Sequence, residues 1–216
     1  MHMKNLSRIG SGVFIVLAFA ASFFAYSHVP DLVATHWNAA GEVNGHMSKT
    51  VGLFFVPVLM VALMGIILGL LQIDPLKKNI QEMKGKVDAL ILCLMTFIAY
   101  VHSLTLAWNM GFHFDFGRWM IPPFAILFFV VGTLIKDAKP NWLMGIRTPW
   151  TLSDDVVWKE THLFGAKLFQ GAGIIMLLGV VIPSIAIYLI VVTVFVAAFG
   201  SVIFSYTAYA KRHPQK

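Results

Sequence analysis

Three histidines lie near the start of the chain, His28, His36 and His46, with Asp31 and Glu42 among them. Imidazoles and carboxylates at short range are the donor set of a transition-metal site. The spacing argues against one, because His36 and His46 are ten residues apart and no HxxxH or HExxH puts two rings on one helical face. The single Cys93 falls inside an apolar run, which leaves neither a zinc pattern nor a disulfide framework. No metal and no cofactor is expected. A second constellation occupies residues 141–162, NWLMGIRTPWTLSDDVVWKETH, a polar, Trp-rich island in an otherwise apolar chain. Here Arg147 stands before a Thr148-Pro149 turn. Its guanidinium can bind lipid phosphate, a backbone carbonyl or a partner's carboxylate, or it can tie the loop to helix ends. His102 is the one ionisable group expected deep in an apolar run. It reads either as a neutral histidine bonded between helices or as a proton or ligand contact. None of these groups forms a nucleophile–base pair.

The elements that must position these residues are helices in lipid. The 216 residues are 58% hydrophobic and 12% charged, against about 45–50% and about 25% in soluble domains. Six apolar segments, residues 9–27, 51–73, 88–108, 118–135, 165–183 and 185–209, each approach the roughly 20 residues that cross about 30 Å of hydrocarbon. Backbone amides in lipid must be satisfied within the segment, so the fold class is all-α, a polytopic bundle of six spans. The first run reads as an uncleaved span and not as a signal peptide, because it continues past Ala18-Phe19-Ala20 to Tyr26. Of the sixteen Lys and Arg, only Lys49 and Arg118 fall on one side of this map. The other fourteen share a side with both termini, which the positive-inside rule makes cytoplasmic. The net charge of +6 is therefore a topology signal and not a nucleic-acid footprint. All six Trp lie in loops or near span ends, as ring systems with one polar N–H prefer.

Finer expectations follow. The chain divides into a two-span unit, residues 1–73, with an outer loop at 28–50, and a four-span unit, residues 74–216, with a cytoplasmic loop at 136–164. In the outer loop, Asn38-Ala39-Ala40-Gly41 and Asn44-Gly45 are turn signals, Ser48 is placed to cap the second span, and no regular structure is evident. Pro183-Ser184 allows only a tight turn between the last two spans. Gly65 and Gly69, and separately Gly171, Gly173 and Gly179, offer faces for close helix packing within the chain. Thr151 or Ser153 is placed to cap a helix near Asp154, whose Val156, Val157, Trp158 and His162 would lie along the membrane surface or form a docking surface for a partner.

Two stretches carry a family resemblance. Pro30-Asp31, Thr35-His36-Trp37-Asn38, Gly41-Glu42, Asn44-Gly45 and Ser48-Lys49 resemble a small domain of unknown function found in many bacterial membrane proteins. Asn141-Trp142, Gly145-Ile146-Arg147-Thr148-Pro149-Trp150-Thr151-Leu152-Ser153, Val157-Trp158 and Thr161-His162 resemble the hallmark of the SdpI immunity-protein family. The resemblance implies a multi-pass protein of the bacterial cytoplasmic membrane. The founding type protects its cell from a secreted toxic peptide and holds a helix-turn-helix repressor at the membrane. The lipid bilayer, a toxic peptide outside and a repressor inside are thus the implied partners, with no direct nucleic-acid contact. Pro30, His36, Trp37, Asn38, Gly41, Gly45, Ser48 and Lys49 become the candidate outer ligand loop. Asn141, Gly145, Arg147, Thr148, Pro149, Trp150, Thr151, Trp158 and His162 become the candidate cytoplasmic motif. A small-molecule transporter, and a membrane enzyme using the outer histidines and acids, are the competing readings.

Overall fold

The structure is a computed structural model and describes residues 3–214; Lys216, counted above among the basic residues, lies outside them. Among the described residues, six helices are long and apolar enough to cross a membrane. They begin with α1 (Met3–Tyr26), α2 (Lys49–Ile73) and, after a short α3 (Lys77–Glu82), α4 (Lys84–Asn109). α5 (Phe116–Ile135) follows, then the five-residue α6 (Pro149–Ser153) and α7 (Asp155–Met176). α7 continues through α8 (Leu178–Val181) and a 3-10 turn at Pro183–Ile185 into α9 (Ala186–Arg212). That turn is the tight connection expected at Pro183-Ser184.

The bundle has one element that is not helical. Residues expected to form an irregular loop pair as an antiparallel hairpin, β1 (Leu32–Trp37) with β2 (Val43–Ser48). The reason lies in Asn38. Its side-chain oxygen accepts the Ala40 and Glu42 amides at 2.9 and 3.0 Å, and Gly41 takes φ +78° to close the turn. Asn44-Gly45, expected to be a second turn, lies inside β2 instead. Gly45 stands opposite His36, where an added Cβ would sit 3.0 Å from the ring. Ser48 does not cap α2 through its side chain; the Lys49 amide bonds Asp31 O at 2.8 Å and couples the hairpin base to the helix start.

Four clusters of buried side chains build the bundle, two of them between its long helices. α1, α2 and α4 bury Ala18, Met60, Ile91 and Met95 together. α5, α7 and α9 bury Ala125, Ala172, Met176 and Ala197. Close approach is needed at Gly173, whose added Cβ would lie 2.5 Å from Ala125 O, and at Gly179, against Ala186. Gly65, Gly69 and Gly171 were also expected to pack within the chain, but an added Cβ meets nothing within 4 Å at any of them. Their faces point outward.

The amphipathic stretch after Asp154 is likewise not a helix lying along the surface. It is the first part of α7, which runs unbroken from Asp155. Val157, Trp158, Thr161 and His162 recur on its inner face and are buried, whereas Lys159 and Glu160 face outward. The caps differ from expectation in the same place. Thr148 caps α6 in a reciprocal box with Thr151, and Asp154 caps α7 by accepting the Val156 and Val157 amides. His213, hydrogen-bonded to Asp154 at 3.0 Å, combines with those amides and Arg212 to hold the Asp154 carboxyl below its usual range.

Candidate functional site

The expected site residues separate into two clusters at opposite ends of the bundle. One lies at the hairpin and the other at the end that carries the termini.

At the hairpin end, Trp37 stacks on Phe116 at the start of α5, with centroids 3.9 Å apart and planes 8° apart. It meets Trp108 of α4 edge-on at 5.9 Å. The hairpin is thus seated on the helix ends by its one Trp, a contact worth about 0.5–1.5 kcal/mol per aromatic pair beyond simple burial. Asn109, the last residue of α4, fixes β1 more directly. Its side-chain oxygen accepts the Ala34 amide at 2.7 Å and its amide donates to Ala34 O at 2.9 Å. One side chain therefore stands in for a third strand on the open edge of β1. Sequence reading passed over Asn109, although a polar amide ending an apolar run was a visible signal.

Between the hairpin, the start of α5 and the α8–α9 turn lies a cavity of about 710 Å³. His36, Trp37 and Asn38 line it from the hairpin. Asp115, Phe116 and Arg118 line it from α5, and Pro183 and Ile187 from the far turn. It presents an aromatic wall with one cation and one anion at the rim, the features of a site for a partly apolar ligand. Pro30, Gly41, Gly45, Ser48 and Lys49 do not line it. They hold the hairpin; Lys49 pairs with Asp31 at 3.3 Å and lies over the Tyr26 ring at 5.2 Å. His28, His36 and His46 do not converge, and among the described residues no three His, Cys, Asp or Glu are grouped to hold a metal.

Asn109 gives a direct test. Asn109→Asp keeps the shape but cannot donate to Ala34 O, and it brings a carboxylate up to that carbonyl. The expected cost is about 1–3 kcal/mol, read as faster proteolysis within residues 32–48 of the purified protein. Unchanged cleavage there would mean that Asn109 does not hold the hairpin.

His102 ties three helices together. Its Nε2 lies 2.8 Å from Ser22 Oγ of α1, which donates to Leu53 O of α2 at 2.7 Å. Because the hydroxyl proton goes to Leu53, the imidazole N–H is the donor to Ser22. This is the interhelical bond of the simpler expectation.

At the other end, residues 137–151 fold into a knot against α7. Asn141 is buried and uses its whole amide. Its oxygen accepts the Leu143 and Met144 amides, and its nitrogen donates to Lys139 O and Met144 O, all within 2.6–2.9 Å. Asp74, at the end of α2, accepts the Trp142 amide at 2.9 Å and the Leu76 amide at 2.7 Å. Trp158 donates its indole N–H to Ala138 O at 2.7 Å. His162 is wedged between them. Its Nδ1–H donates to Trp158 O at 2.7 Å and its Nε2 accepts the Ile146 amide at 2.9 Å. Gly145 takes φ +120° with its Cα against that ring. Thr148 then bonds Ser205 of α9 at 3.0 Å, and Trp150 meets Tyr206 edge-on at 5.1 Å. Arg147 folds back to donate to Trp142 O while staying exposed. Pro149 opens α6 at its first position, where a missing N–H costs nothing.

The motif residues thus form a latch that binds the loop to α2, α7 and α9. A family model for SdpI/YfhL proteins matches residues 137–205, the latch and the two helices it grips. The model of a domain of unknown function, DUF1648, matches residues 13–61, which hold the later part of α1, the hairpin and the first half of α2. Over residues 137–205 the chain is similar to the SdpI/YfhL family. It is 27% identical over 213 residues to the immunity protein SdpI of Bacillus subtilis (strain 168), covering 96% of this chain and 97% of that protein. No solved structure matches. That full-length similarity and the six apolar helices make it a multi-pass protein of the bacterial cytoplasmic membrane.

Proposed function

We propose that the protein is an immunity protein that protects its cell from a membrane-active peptide, with the hairpin end outside the cell and the latch in the cytoplasm. This is a binding role and not a catalytic one. The charge asymmetry supports the orientation, with Lys49 and Arg118 alone at the hairpin end. The full-length similarity to an immunity protein supports the role.

The observation that carries the reading is the cavity of about 710 Å³ under the hairpin. A toxic peptide arriving from outside meets an aromatic wall for its apolar side chains, and Asp115 and Arg118 for its polar groups. Holding the peptide there keeps it out of the bilayer. On the opposite face, exposed Trp142 and Arg147 lie on one rigid loop. They are the surface proposed to hold a small helix-turn-helix repressor, as the family resemblance implies.

Expression in a sensitive strain should raise survival under a membrane-active peptide. Arg118→Glu reverses one charge at the cavity rim without touching the latch. It should lower the protected dose about tenfold, the effect of roughly 1.4 kcal/mol in affinity, with unchanged membrane abundance. Absence of protection against any such peptide, including one encoded beside the gene, would defeat the reading. Full protection by Arg118→Glu would remove the cavity as the binding site.

A further inference from the structure

A second, smaller cavity lies at the opposite end of the bundle, where α1 begins, α2 ends, and α3 and α4 begin. Its volume is about 130 Å³. Three cations border it, Arg8, Lys77 and Lys84, with the neutral amides of Gln72 and Gln81 beside them. Leu71, Ile80 and Val87 form its apolar wall.

The charge balance around this cavity is uneven. Asp88 on α4 and Glu82 at the end of α3 are the nearby anions, and both are committed, Asp88 to Arg8 and Glu82 to Lys139. The Asp88 carboxylate accepts the Arg8 Nε–H at 2.6 Å and is 2% exposed. That single bond occupies one edge of the guanidinium. Among the described residues, the Arg8 Nη groups have no acceptor within hydrogen-bond distance, and Lys77 and Lys84 have no carboxylate within ion-pair distance. The neighbouring lysines differ: Lys86 pairs with Asp137 and Lys139 with Glu82. Positive charges gathered around one pocket repel each other unless an anion joins them. Here the unpaired donors include a planar fork whose orientation Asp88 has already fixed.

We infer that this cavity binds a phosphate-bearing anion. The exposed edge of Arg8 presents paired donors of the kind that match two phosphate oxygens, and Lys77 and Lys84 add charge from the flanks. The cavity sits at the ends of helices long and apolar enough to cross a membrane, where lipid headgroups would lie, and Leu71, Ile80 and Val87 line it beside the cations. A lipid headgroup and free phosphate share this chemistry, and basic pockets between transmembrane helices suit anionic headgroups in particular.

The test uses the full chain purified in detergent, with its thermal unfolding midpoint followed during titration of a phosphatidylglycerol, a phosphatidylcholine or inorganic phosphate. A ligand of the native state raises the midpoint in proportion to its occupancy. Phosphatidylglycerol should stabilise and phosphatidylcholine should not. Inorganic phosphate that stabilises equally and competes assigns the site to soluble phosphate, whereas no effect of phosphate assigns it to lipid. K77Q/K84Q, which leaves the Arg8–Asp88 pair intact, should weaken the apparent affinity about 10- to 30-fold, given roughly tenfold or less per Lys. Gln81→Glu, which places an anion at the wall, should weaken it in the same direction. The charge-matched K159Q/K211Q lies elsewhere and should have no such effect. Equal losses in K77Q/K84Q and K159Q/K211Q would reduce the binding to general attraction and overturn the proposal, as would unchanged affinity in K77Q/K84Q, or failure of both phosphatidylglycerol and phosphate to stabilise.

Discussion

Gly145→Ala should destabilise the protein by about 3–5 kcal/mol, although it adds one methyl group. Two costs combine. At φ +120° an L-residue lies outside its ordinary regions, a strain of about 1–3 kcal/mol. The new Cβ would also overlap His162 Nε2, the atom that accepts the Ile146 amide. Moving the ring aside leaves that buried pair unmade, at about 1–3 kcal/mol more. The ring has little room to move. It stacks on Trp158 at 4.1 Å, and its other nitrogen is bonded to Trp158 O. Trp158 is in turn anchored to Ala138 O. Displacing His162 therefore loosens both strands of the loop. The measurement is the thermal midpoint of the detergent-purified protein, with proteolysis of residues 137–151 as the local readout. Gly171→Ala is the matched control. It lies within α7, where an added Cβ meets nothing within 4 Å, so it should be neutral or stabilising by up to about 1 kcal/mol. The same substitution should thus lower the midpoint at Gly145 and leave it unchanged or raise it at Gly171, and equal shifts would remove the packing argument.

His162 also shows what the sequence could and could not convey. The six spans were legible because each is a continuous apolar run near bilayer length, and their ends fall within a few residues of the helices except at the start of α1, six residues early, and at α7. That helix begins about ten residues earlier than its apolar run. Hydropathy averages over the whole circumference, and Lys159 and Glu160 outweigh an inner face of Val157, Trp158 and His162. Periodicity does show the face. It could not show that the surface opposite is another part of the protein instead of lipid headgroups.

The hairpin was missed for a similar reason. Asn44-Gly45 is a strong local turn signal, but Asn38 and Gly41 make the turn first. Gly45 is then required for space beside His36 and not for its φ. The resemblance marked nearly every latch residue. What it left open was their task, because Asn141 and His162 work through carbonyls and amides that carry no sequence identity. Asp74 and Asn109 were overlooked because each is an isolated polar residue at a helix end. Their partners, Trp142 and Ala34, lie 68 and 75 residues away in the chain.

Asp88 belongs to the same class, and it leads to the other large effect. It is the first residue of the third apolar run, residues 88–108. In the folded chain it is 2% exposed, with Arg8 as its ion-pair partner. Arg8→Met should cost about 3–5 kcal/mol, the usual result of leaving one buried charge alone. The second oxygen of Asp88 already lacks a partner among the described residues. The pair as a whole has a different value from either half. Removing two ions from water is expensive, and replacing a buried pair by apolar side chains of similar volume is often neutral or stabilising. R8M/D88L should therefore recover most of the loss and melt near the wild type. A double-mutant cycle separates the two quantities: the singles report an unpaired charge, and the double reports the pair against a hydrocarbon contact. If R8M alone melts like the wild type, the contact is a surface pair of little consequence. If R8M/D88L melts as low as R8M, the cost lies in lost packing around the Arg8 stem and not in the stranded carboxylate. In the expected case, the conserved stability of the double variant also makes it a folded background without the Arg8 guanidinium, in which the phosphate affinity of the small cavity should fall with no change in thermal midpoint of the unliganded protein.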